Sequence, residues 1–210
     1  MTADPAPWPR RRLLALAAGL PLMVSGCLGV APAPRRFRLS NPTGAAANLP
    51  AVDWALEIDQ TIADPGIDTT RIAQLGANGL ELQYYADSEW PSKAADLVNT
   101  LLLQTFVDSG KLPRVGDRNS GLRSDFVLKT VLRDFQVEAA TPLVKVTVTA
   151  SLVQLPRRIQ AGAERFQSVV PATSGNVEDV VRAFDKALDR VLRDLVAWTL
   201  VTGASNRPAG

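Results

Sequence analysis

Histidine is absent from all 210 residues. Its absence excludes Ser-His-Asp and Cys-His catalysis and removes the commonest metal ligand. Cysteine occurs once, so the chain has no internal disulfide, and that lone thiol needs its own explanation. Charge of one sign is also lacking: Lys and Arg number 23, Asp and Glu 21. Setting aside Arg10, Arg11, Arg12 and Asp4, which fall in an N-terminal leader, leaves 20 of each. A neutral chain lacks the concentrated basic surface that nucleic acid requires, and has no general attraction to anionic lipid. No glycine-rich phosphate loop, nucleophile elbow or dinucleotide fingerprint is present. Ser92-Lys93 and Ser109-Gly110-Lys111 lack the spacing of a Ser-x-x-Lys pair, and Asp64, Asp68 and Asp87 lack that of a calcium loop. A carboxylate pair is the one catalytic arrangement the composition leaves open. The expectation is a non-enzyme with no catalytic, cofactor-binding or metal-binding residues and no cofactor.

What is there begins at the N-terminus. Arg10-Arg11-Arg12 precedes an apolar run from Leu13 to Val24, and Ser25-Gly26-Cys27 follows. This is the order of a secretory signal: basic, apolar, then small residues at the cut. At about 12 residues the run is too short for a bilayer, which needs roughly 20. Val24-Ser25-Gly26-Cys27 resembles a lipobox, in which the thiol is acylated and the chain cut on its N-terminal side, with Val24 in place of the commoner leucine. The competing cut after Ala31-Pro32-Ala33 would leave Pro34 at the first mature position, where signal peptidase I is blocked. Residues 1–26 are read as a lipoprotein signal peptide and Cys27 as the lipidated residue. Acyl chains on both the thiol and the amine exceed the two-signal minimum for stable anchoring. Arg-Arg-x-Leu-Leu also resembles a twin-arginine signal, and a Sec signal looks the same here. Leu28 in place of aspartate favours the outer membrane, facing the periplasm. Residues 27–36, with Pro32 and Pro34, form a short semi-extended tether.

The remainder has 46% hydrophobic and 21% charged residues over the whole chain, ordinary for one packed domain. Phe37-Arg38-Leu39-Ser40 reads as a first short strand, and the polar stretch 41–50 as a loop. Trp54, Leu56 and Ile58 alternate with Ala55, Glu57 and Asp59 as a half-buried strand. Asp64-Pro65-Gly66 marks a turn. Strands are expected at Arg71 to Leu75 and Leu80 to Tyr85, joined by Gly76-Ala77-Asn78-Gly79. Pro91 suits the first turn of a helix with Leu97, Val98, Leu101, Leu102, Thr105 and Phe106 on one face, closed by Gly110. A long hairpin pairs Asp125 to Glu138 with Leu143 to Leu155, and Arg158 to Val169 continues it with a break near Gly162. Asn176 caps a final helix ended by Gly203, its stripe running through Val177, Val181, Phe184, Leu188, Val191, Leu192, Leu195 and Trp198. Glu178–Arg182 and Asp189–Arg193 are i,i+4 pairs on its wet side. Residues 203–210 are left as a disordered tail. The fold class is α/β (mixed): a single domain over 37–202, a mixed or antiparallel β-sheet covered by two long helices.

Tyr84-Tyr85-Ala86-Asp87-Ser88-Glu89-Trp90-Pro91 concentrates three aromatics where a strand runs into a helix. Tyr and Trp favour interfaces, so Tyr84, Tyr85 and Trp90 are the candidate partner surface. Core packing at a strand end explains the same residues equally well. This aromatic strand, the helix ending in Ser109-Gly110, Phe126-Val127-Leu128 with its hairpin, Arg165-Phe166 and the closing helix resemble, in this order, the ABC-type transport auxiliary lipoproteins, or paraquat-inducible protein C-like family. The resemblance runs from Phe37 to Trp198. It departs at Gln154-Leu155-Pro156, where the family's aspartate is missing. It implies a fold similar to the N-terminal domain of TolB and a non-catalytic docking role. The partners it implies are mammalian-cell-entry (MCE) domain proteins and ABC transporter components that move phospholipid between membranes, with a homo-oligomer left open. A structural or assembly lipoprotein for an outer-membrane barrel, and a lipid-binding shuttle, are the alternatives.

Overall fold

A computed structural model describes residues 2, 33–42 and 49–206. Most of the leader, Cys27 and the tether up to residue 32 lie outside these residues, as do 43–48 of the expected loop and 207–210 of the expected tail. Along the chain run β1 (Arg35–Arg36), β2 (Ala55–Ile58), β3 (Ile62–Ala63), β4 (Arg71–Leu75), β5 (Leu82–Glu89), α1 (Ala94–Ser109), β6 (Arg114–Asp117), β7 (Phe126–Glu138), β8 (Leu143–Gln154), β9 (Ile159–Pro171) and α2 (Val177–Ser205).

The spine of the nine-stranded mixed sheet is β7. One of its edges pairs antiparallel with β8 over the whole hairpin, from Phe126↔Gln154 to Glu138↔Leu143. Its other edge is shared in succession by three short parallel strands: β2 at Leu56↔Phe126, β3 at Ile62↔Val131 and β4 at Leu75↔Glu138. β6 extends the sheet beyond β2, and β5 then β1 extend it beyond β4. β9 lies antiparallel outside β8.

Alternation decides which face is buried. Val144, Val146, Val148, Ala150 and Leu152 of β8 are all fully buried. On β7 the inward set is Phe126, Leu128 and Leu132, then Phe135 and Val137. The step of three between Leu132 and Phe135 is a bulge, where the register shifts and Arg133 is the extra residue. The expected break in β9 is also a register shift, opposite Leu152 and Val153. Gly162 lies there because α2 passes close by: a Cβ on it would stand 3.0 Å from Thr202 and 3.2 Å from Trp198.

The buried positions of α1 are the six expected, with Ala94 and Ala95, and Gly110 closes it at φ 61°. The helix starts later than Pro91 suggests. Its N-cap residue, Lys93, supplies no side-chain hydrogen bond, and the Ala95 N–H instead donates to Asp68 Oδ1 at 3.1 Å. A carboxylate from a distant turn thereby satisfies a free donor at the positive end of the helix. In α2 the Asn176 side chain accepts from the Asp179 N–H at 2.9 Å. Its inner face extends from Val177 to Gly203, with Trp198 half-buried. Gly203 does not end the helix, which continues to Ser205. The expected first strand is displaced as well: pairing occurs at Arg35–Arg36, and 37–40 run on unpaired except that the Phe37 N–H donates to Glu89 O at 2.8 Å. Among the described residues no helix is long and apolar enough to cross a membrane.

Candidate functional site

The aromatic junction comes apart into three environments. Strand alternation sends Tyr84 and Tyr85 to opposite sides. The Tyr84 hydroxyl donates to Gly66 O at 2.9 Å, and the Arg71 guanidinium stands 4.0 Å from its ring centre. The Tyr85 hydroxyl donates to Gly175 O at 3.0 Å, just before α2, and burial pushes its pKa above the ordinary phenol value. Both rings are half-buried. Trp90 is 1% exposed and packs on Phe184 at 5.3 Å and Phe135 at 5.7 Å between ring centres. As part of a partner surface Trp90 is therefore corrected: its indole fills the space between sheet and α2, where burial of a large ring stabilises most. Between Tyr84 and Glu89 the strand carries extra residues relative to β4, and Asp87 takes φ 48° there. That irregularity has no apolar signal, and simple alternation could not show it.

A second cluster fastens the incoming chain. β1 lies parallel to Ser88–Glu89 of β5. The Arg35 guanidinium pairs with Glu178 in the first turn of α2 and lies 5.0 Å from the Phe37 ring centre. The hydrogen bond from Arg35, followed by Glu178's own backbone N–H, holds the Glu178 carboxyl below its ordinary pKa. Further on, the Ser40 N–H donates to Asp185 Oδ1 at 2.5 Å, and Asn41 reaches Asp108 of α1. Glu178 thus does not form its expected i,i+4 pair with Arg182, which turns to Asp179 at 3.2 Å; Asp189–Arg193 forms as expected. Residues 35–40 therefore track α2 from its N-terminus, and Asn41 turns to α1. Sequence reasoning missed this fastening because Arg35 and Glu178 are 143 residues apart. Cys27 itself lies outside the described residues.

A mixed sheet with two helices, entered by a chain clamped to the longer helix, defines an α/β domain held by its N-terminus. Over residues 37–196 the chain matches the ABC-type transport auxiliary lipoprotein component family, and it belongs to that family. Among solved structures it is similar to protein XCC0632 from Xanthomonas campestris, of the DUF330 family, with 28% identity and a TM-score of 0.76, covering 83% of this chain and 100% of that one. The protein CT253 from Chlamydia trachomatis shares the fold, with 12% identity and a TM-score of 0.51 over 72% of this chain and 97% of that one. No curated protein matches the chain. The protein is an auxiliary lipoprotein component of an ABC-type transport system, and as a lipoprotein belongs to the membrane-anchored part of the cell envelope.

Proposed function

We propose that this lipoprotein is a non-catalytic docking component of an MCE-type system moving phospholipid between membranes. It is anchored through Cys27 in the outer membrane and faces the periplasm. The observation that carries the reading is the clamp on the incoming chain, considered with the family. Arg35 lies only eight residues beyond Cys27, so the chain between them spans at most roughly 29 Å. A domain held on so short a lead, and gripped by Glu178 and Asp185 where the lead ends, stays close to the membrane that holds Cys27. Its fold is similar to the N-terminal domain of TolB, a further expectation of this reading.

Purification of the tagged, full-length lipoprotein from detergent-solubilised envelopes tests it. An MCE-domain protein and ABC transporter subunits should come with it, and come in reduced yield with Tyr85→Ala if the half-buried tyrosine contributes to the contact. An outer-membrane barrel in their place would favour the assembly reading. Stoichiometric lipid without protein partners would favour the shuttle.

A further inference from the structure

At the far end of α2 from Arg35, the sheet carries a basic groove. Two adjoining hollows of about 440 and 650 Å³ share Glu57, Leu155 and Arg158 in their walls. Five cations line them: Arg114, Arg118, Arg123, Lys129 and Arg158. Three carboxylates accompany these, and each is already engaged. Asp125 accepts the Ala55 N–H at 2.7 Å, Asp59 pairs with Arg118 at 3.5 Å, and Glu57 accepts the Ser124 hydroxyl at 3.4 Å. Among the described residues Arg114, Arg123, Lys129 and Arg158 have no carboxylate within ion-pair distance.

A second observation points to the same place. Arg158 closes the four-residue turn between β8 and β9 at φ 55°. That left-handed position suits Gly or Asn, and a long side chain there is unfavourable for the backbone. The chain nonetheless has a guanidinium there, on a turn residue that, like Leu155, lines both hollows. Strained residues of this kind gather where a side chain must be held toward a ligand.

The docking reading selects among anionic ligands. The groove lies at the C-terminal end of α2, where Gln154 Nε2 donates to Asn206 O at 2.9 Å, and the incoming chain is clamped at the N-terminal end. A 29-residue helix is about 43 Å long. The clamp on the incoming chain and the groove are therefore at opposite ends of α2. We infer that the groove docks an acidic segment of a partner protein, its carboxylates taken bidentately by Arg123 and Arg158. This deepens the docking reading and rests on it for the choice of a protein over a lipid headgroup.

Titration of fluorescein-labelled hexaglutamate with the full-length lipoprotein in neutral detergent micelles, followed by anisotropy, tests the inference. Saturable binding that weakens as salt rises is expected. Arg123→Glu with Arg158→Glu should weaken it about tenfold or more, and Arg123→Lys with Arg158→Lys by less, with the melting temperature of both proteins checked. Absent binding, or binding indifferent to the glutamate pair, overturns the inference. So does tighter, arginine-dependent binding of the soluble headgroup glycerophosphoglycerol, which would assign the groove to lipid. The probe is a peptide and not a transporter subunit, so failure here leaves the docking reading standing. Failure of the envelope purification leaves this result standing.

Discussion

A Cβ placed on Gly203 would stand 2.3 Å from Cζ2 of Trp54, closer than any real contact. The indole cannot retreat, because it is 3% exposed and packed edge-on against Phe126 at 4.9 Å. The last turns of α2 therefore approach the start of β2 only because residue 203 has no side chain. In an isolated helix Gly→Ala would stabilise by about 0.5–1 kcal/mol, whereas overpacking a filled core costs typically about 1–3 kcal/mol. Gly203→Ala is expected to lower stability in urea denaturation. A stabilised variant would mean that Trp54 does not rest on the helix.

Two apolar residues of α2 should behave oppositely. Leu188 is 2% exposed, and truncation to alanine should cost about 2–5 kcal/mol. Val201 is 52% exposed, and Val201→Ala should be neutral or stabilising by a few tenths of a kcal/mol, since alanine is the better helix former. Equal losses at both sites would show that the outer face of the helix is also covered.

Tyr85 and Glu178 make opposite limbs of the pH profile. Burial raises the Tyr85 pKa, so its contribution is complete below the unfolded phenol value and disappears as pH rises through the higher folded value. Tyr85→Phe should cost roughly 0.5–1.5 kcal/mol at neutral pH through the lost bond to Gly175, and then flatten the alkaline decline. The Glu178 pKa is lowered, so its contribution is present above the ordinary carboxylate value and is lost as pH falls through the folded value. Arg35→Ala should shallow the acid limb slightly, the more so at low salt, because the pair is exposed and screened. An unchanged acid limb at low salt would argue that Arg35 and Glu178 do not pair in solution.

The long hairpin was legible because β7 and β8 face a core on one side and alternate for a dozen residues. α2 was legible through its stripe, from Val177 to Leu195. Other features depend on distant partners. β3 has two residues and β6 only one strongly apolar one, Val115; neither announces a strand, and both are held by neighbours. Gly203 reads as a helix stop in sequence because glycine usually is one; here Trp54 requires it inside the helix. Trp90 looks like a surface aromatic until Phe135 and Phe184 surround it. The basic groove was invisible for a similar reason. Its cations are scattered between residues 114 and 158 of a chain with almost no net charge, and only the fold gathers them.

The intact mass and N-terminal sequence of the chain extracted from envelopes test the anchored-lipoprotein account most directly. The account predicts a mature chain that begins at Cys27 and carries acyl mass on that residue. It also predicts that Cys27→Ser accumulates as an uncleaved, unacylated precursor. An unacylated wild-type chain, or a Cys27→Ser protein processed normally to begin at Pro34, would contradict it.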